Sequence, residues 1–177
     1  MIRMDCRLLI AGLLTASFCS VQAVGADLDD ARALYESGKY QEAEKVAAEQ
    51  VEKGVWNERW PRLLIRCQLT TGQYAEAQET YQAAIKRYPT SLTLRMMGIE
   101  AMQLAGSQDE ASQAKNQMMV LMQSAPSRYA SRDNMVAMGR YFAMRGEDAR
   151  QILELFFDRV RDSDPRHLGA HLATAEL

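Results

Sequence analysis

Gly38-Lys39-Tyr40-Gln41-Glu42-Ala43, Gly72-Gln73-Tyr74-Ala75-Glu76-Ala77 and Gly106-Ser107-Gln108-Asp109-Glu110-Ala111 are three copies of one pattern, set 34 residues apart. A fourth copy opens at Gly146, six residues later than the period would place it. Each glycine sits where one apolar helical pattern stops and another begins, which is where a left-handed residue closes a helix. Self-similarity at this period is the signature of a helix–turn–helix array. It predicts antiparallel helix pairs over about 28–37 with 40–53, 58–71 with 74–88, 92–105 with 108–123 and 132–145 with 147–161.

Working outward from Gly72, the second copy reads most clearly. Leu63, Leu64, Cys67 and Gln68 fall on one helical face before it, and Tyr74, Ala77, Tyr81, Ala84, Ile85 and Tyr88 on another after it. Pro89 ends the second helix. Ala77 and Ala84 supply small surfaces and Leu64, Tyr81 and Ile85 large ones, the pairing that lets two antiparallel helices pack closely. Pro61 is tolerable because it lies in the first helical turn, where its missing N–H costs little.

These residues resemble the tetratricopeptide repeat family. Its run of leucine, then alanine and an aromatic three residues on, then alanine and a closing proline is met by Leu64, Ala77, Tyr81, Ala84 and Pro89. The chain departs from the pattern as well. Pro61 takes the first aromatic slot with Trp60 one residue early, Ile65 stands where a small residue is usual, and Lys115 replaces the aromatic of the third repeat. The resemblance covers residues 27–177, as repeats at about 24–57, 58–91, 92–131 and 132–167, and the start of a fifth at 168–177. It implies an all-α, right-handed superhelical solenoid of antiparallel helix pairs. Ala170, Leu172, Ala173 and Leu177 of the fifth opening helix are expected to be partly uncovered, as in the N-terminal piece of a longer protein, because solenoid repeats bury their apolar sides only against neighbours.

Residues 1–26 have a different character. Arg3 and Arg7 precede an apolar run, Leu8 to Phe18, and small residues end at Ala23 and Ala26, the layout of a secretory signal peptide. The run is shorter than the ~20 residues that a spanning helix needs. The expected location is therefore secreted or periplasmic, with no membrane association after cleavage. Cys6 and Cys19 lie in this leader, leaving Cys67 without an intramolecular partner, as a buried thiol between Ile65 and Leu69. The formal net charge is −2, and loss of Arg3, Arg7 and Asp5 makes it one unit more negative. Nucleic-acid binders carry a strongly basic patch and pI, so that class is excluded.

Chemistry finds no foothold in the sequence. His167 and His171 are the two histidines, four residues apart, with no glutamate between them to make a metalloprotease motif. Met96, Met97, Met102, Met118, Met119 and Met122 crowd the third repeat. Soft thioethers can bind Cu(I), yet methionine also fills irregular helix interfaces, and core filling with no cofactor or metal is the reading adopted. Arg59, Arg62 and Arg66, three and four apart, share one helix face. In the family, first helices line the concave groove, and by position that groove would display Arg32, Arg59, Arg62, Arg66 and Arg140 with Met96 and Glu100. The asparagines of the family's carboxylate clamp are missing. The resemblance implies a non-enzymatic interaction scaffold that binds a protein partner, as a peptide or partner helix, on its concave face; the leader adds export, and the arginine face adds an acidic partner as an expectation. The alternative is an N-terminal adaptor of a larger exported hydrolase, such as a peptidase.

Overall fold

The computed structural model describes residues 28–177, so the leader at 1–26 lies outside the described residues. Among these residues every regular element is helical and there is no strand. Three pairs follow in order: α1 (Leu28–Glu36) with α2 (Tyr40–Glu52), α3 (Arg59–Thr70) with α4 (Tyr74–Arg87), and α5 (Leu92–Leu104) with α6 (Gln108–Ser124). A short 3₁₀ turn, Pro126–Tyr129, leads into α7 (Arg132–Met144). The fourth partner helix is built from α8 (Ala149–Ile152), a π-helical turn (Leu153–Phe157) and α9 (Asp158–Ser163), after which α10 (Leu168–Glu176) opens a fifth unit.

The glycine period has a direct physical cause. Gly38, Gly72, Gly106 and Gly146 have φ of +82°, +79°, +84° and +77°. Just past each, one backbone N–H returns to a carbonyl of the preceding helix: Lys39 to Leu34, Gln73 to Gln68, Ser107 to Met102 and Glu147 to Phe142, at 2.8–3.2 Å. This six-to-one bond satisfies a carbonyl that the helix end leaves orphaned, and only glycine adopts the required conformation without strain. The same device closes α2 at Gly54, whose φ is +71°. It replaces the closing proline that the first repeat lacks.

Helix pairing follows the expected small-against-large scheme. Ala43, Ala77 and Ala84 are buried, and so is Tyr81. Tyr40 and Tyr74 are only half-buried, and Tyr40 packs its ring on Tyr35, 5.2 Å between centroids. Two glycines do more than turn. A Cβ at Gly98 in α5 would come within 2.5 Å of the Tyr81 ring, and one at Gly139 in α7 within 2.2 Å of Phe157. The π-helical turn carries Phe157, fully buried, onto Gly139. Met97, Met102, Met118 and Met122 are buried in the same core cluster as Tyr81 and Tyr129. Cys67 is buried too. Burial pushes its thiol up to about 11, with Glu44 adding to the rise and Arg66 opposing it, so the group is protonated and unreactive at neutral pH.

Two expectations need correction. The second helix of the fourth pair does not run unbroken over 147–161, because one extra residue is absorbed in the π turn. In α10, Ala170 and Ala173 are buried against the fourth pair rather than uncovered, while Leu172 and Leu177 are exposed together with Leu168.

The first helices form the inner layer, α1 touching α3, α3 touching α5, α5 touching α7, and α7 touching α10. The second helices lie outside, α2 packing on α3 and α4 on α5. Polar contacts join the starts of successive first helices. Ser91 Oγ donates to Glu58 at 2.7 Å, and Asn134 both accepts from Leu92 N–H at 2.8 Å and donates to the Thr90 carbonyl at 2.9 Å.

Gly98→Ala and Gly139→Ala should each lower stability, by about 1–3 kcal/mol of overpacking, although alanine is favoured over glycine in a helix by ~1 kcal/mol. Urea unfolding of each variant measures this. A midpoint raised above wild type would show that neither ring is seated on its glycine.

Candidate binding groove

The regular joints between pairs close by packing a second helix on the next first helix. The joint between the third and fourth pairs differs. The inserted Pro126–Tyr129 turn packs against α6, and it buries Tyr129 in the core. An open groove of about 790 Å³ lies along the inner layer at this joint. Its floor is apolar, with Met96, Met97 and Ile99 of α5 facing Val136 and Tyr141 of α7. Its walls carry charge from Arg62 and Arg66 of α3, Glu100 of α5, Lys115 of α6, Asp133 and Arg140 of α7, and Arg145 just past α7, which lies 3.8 Å from Glu147.

Five residues proposed from the sequence therefore meet here: Arg62, Arg66, Met96, Glu100 and Arg140. Arg32 and Arg59 do not line it. Arg32 pairs with Glu36 at 3.3 Å along its own helix, and Arg59 reaches Asp29 of α1 at 3.9 Å. The three arginines of α3 share a face, but the superhelix carries the first of them past the end of the groove.

Groove cations fall into two kinds. Arg62 donates to Asp133 at 3.1 Å and lies 3.8 Å from Glu58, while Arg140 makes two hydrogen bonds to Glu176 of α10, at 3.1 and 3.2 Å. Arg66 and Lys115 form no ion pair with a described residue. Arg66 instead rests its guanidinium 6.0 Å from the Tyr35 ring centroid. Such an array can hold an anionic group beside an apolar surface.

Asp133 was not singled out by sequence reasoning, and His167 was weighed there only with His171 as a metal-ligand pair. Asp133 Oδ2 accepts from Arg62 and Oδ1 is 3.0 Å from His167 Nε2. His167 Nδ1 accepts from Ala170 N–H at 3.2 Å, capping α10. One nitrogen accepts, so the other carries the proton that it donates to Asp133. Both ring nitrogens are thus committed, and His171 Nε2 turns instead to the Pro165 carbonyl at 2.9 Å. Lys115 was visible in the sequence as a cation in an aromatic slot. Half-buried in α6, it projects into the space that the open joint leaves.

Partial burial works against ionisation of Asp133. The charge of Arg62 and the hydrogen bonds from His167 and Arg62 outweigh it, and hold the carboxyl below its ordinary value.

Residues 34–97, from the end of α1 into α5, match the family model of the tetratricopeptide repeat. The helical-repeat solenoid is also found in the crystal structure of a thermophilic tetratricopeptide repeat protein from Thermus thermophilus. That likeness has a TM-score of 0.51 at 17% identity, covering 84% of this chain and 95% of the other. No curated protein matches the chain. The fold is therefore a tetratricopeptide-like solenoid. The groove lies mostly beyond the matched segment, since α6, α7 and α10 follow residue 97.

Because the Asp133 carboxyl is depressed in the folded protein, its stabilising contribution is complete above the unfolded value of about 3.9 and is lost as pH falls through the lower folded value. Asp133→Asn removes that dependence. Chemical unfolding followed at stepped pH should show wild-type stability falling more steeply below pH 4 than that of the variant. Parallel profiles would mean that the Arg62 and His167 contacts do not form in solution.

Proposed function

We propose that this chain is a non-enzymatic protein-interaction scaffold whose groove between α3, α5 and α7 takes an extended peptide or partner helix bearing an acidic group. The observation that carries the reading is the juxtaposition of Arg66 and Lys115, both without an ion pair among the described residues, with the Met96, Met97 and Val136 floor. The floor supplies apolar burial, worth about 25 cal/mol per Å². The unpaired cations supply orientation and choice of ligand, which is what charge contributes at interfaces. A tetratricopeptide-like fold supports protein interaction as the general role. The leader-like residues 1–26 support a secreted or periplasmic location, and no described helix is long and apolar enough to cross a membrane.

A fluorescein-labelled peptide alternating glutamate and leucine tests the groove. Binding to wild type should weaken as salt rises, because exposed charges are screened beyond ~8 Å at physiological ionic strength. Arg66→Glu combined with Lys115→Glu should lower affinity about tenfold or more, since each reversal sets a repulsive charge a few ångströms from the ligand. Arg32→Glu with Arg59→Glu should lower affinity much less, because neither side chain lines the groove and exposed charges that do not contact the ligand are weakened by solvent and salt. Equal affinity of wild type and the Arg66, Lys115 variant would end the groove reading.

Export is checked separately. N-terminal sequencing of the protein recovered from the exported fraction should show a start just after Ala23 or Ala26. An intact N-terminus in the cytoplasmic fraction would contradict it.

A further inference from the structure

We propose that Asp133 determines which acidic ligands the groove accepts, by occupying Arg62 as an internal competitor. The inference rests on the groove reading above and extends it to the spacing of acidic groups in the ligand. Arg62 and Arg66 are four residues apart on α3, just over one helical turn or about 6 Å along the axis. Alternate side chains of an extended peptide are about 6.6 Å apart, so two acids at that spacing could engage both guanidiniums. Only Arg66 is open. Arg62 is held by Asp133 at 3.1 Å, with Glu58 at 3.8 Å behind it.

The geometry makes Asp133 displaceable. Its side chain is 56% exposed and that of Arg62 26%, and ion pairs of such exposure contribute at most about 1 kcal/mol. Its second oxygen stays on His167, whose other nitrogen is fixed by the α10 cap. The carboxylate can therefore release Arg62 without losing its anchor. A ligand with one acid pairs with Arg66 and leaves Asp133 in place. A ligand with two must take Arg62 from it, and the second acid then adds little affinity in wild type. Asp133 thus levels the groove's response to ligand charge. Asparagine there keeps a hydrogen-bond acceptor for His167 and removes the charge that competes.

The test uses two acetylated, amidated leucine pentapeptides, one with glutamate at its second residue and one with glutamates at its second and fourth. Fluorescence anisotropy gives the affinity ratio, diacid over monoacid. In wild type it should be about twofold, and in Asp133→Asn about tenfold, the difference reflecting one exposed ion pair. Adding Arg62→Gln to Asp133→Asn should return the ratio to about twofold, because the gain depends on that guanidinium. A ratio unchanged by Asp133→Asn, or a raised ratio that survives Arg62→Gln, overturns the proposal while leaving the groove reading intact. Failure of both peptides to bind wild type and variants overturns both. Asp133→Ser, which also removes the charge, repeats the measurement should the asparagine variant lose helicity.

Discussion

Helix backbones in this chain come together where side chains are smallest. Ala77, Ala101 and Ala111 are shielded completely or almost completely from solvent, and the rings of Tyr81 and Phe157 lie where a Cβ on Gly98 or Gly139 would need to be. That close approach is the constraint behind the rest of the structure. Packing in a protein interior tolerates little change in volume, so each small residue dictates where the opposing aromatic sits, and the pairs stack with a fixed offset. The left-handed glycines complete the device by ending each first helix where its partner must start.

The groove arises from an interruption of this regularity. At the first two joints a second helix covers the next first helix. At the third, six added residues form the Pro126–Tyr129 turn instead, and Tyr129 fills the core that a tighter joint would have closed. Charge then lines the opening. Three arginines are paired, Arg62 with Asp133, Arg140 with Glu176 and Arg145 with Glu147, while Arg66 and Lys115 are left to face the groove. Glu58–Ser91, Asn134 with the Thr90–Leu92 backbone, and Asp133–His167 hold the starts of successive first helices together along one edge. Each contact spans one repeat step, so a change at one place alters both the local cap and the offset between pairs.

Much of the fold was legible because the turn chemistry is local. A glycine with positive φ and the alanine five residues later act over little more than one turn of helix, so their spacing survives in the chain as a pattern. The π turn did not show, because the identity of Leu153–Phe157 is compatible with an ordinary helix. Only the demand that Phe157 reach Gly139 shifts the register. The burial of Ala170 and Ala173 was missed for a related reason. An amphipathic pattern marks a face as apolar but does not say which neighbour covers it.

The groove was legible only in part. Arg62, Arg66, Met96, Glu100 and Arg140 share it because first helices form the inner layer of such arrays, and residue number fixes which helix each belongs to. Whether a cation there is available depends on carboxylates 71 residues from Arg62 and 36 from Arg140, and no periodicity encodes those pairings. The sequence by itself determined the helices, their turns and the side of the layer on which the arginines lie, all consequences of short-range sterics. Tertiary structure alone decided that Arg32 and Arg59 fall outside, that Lys115 comes in, and that Asp133 sits on Arg62. Those outcomes follow from the offset between helix pairs, which packing volumes set and no local stretch of chain specifies.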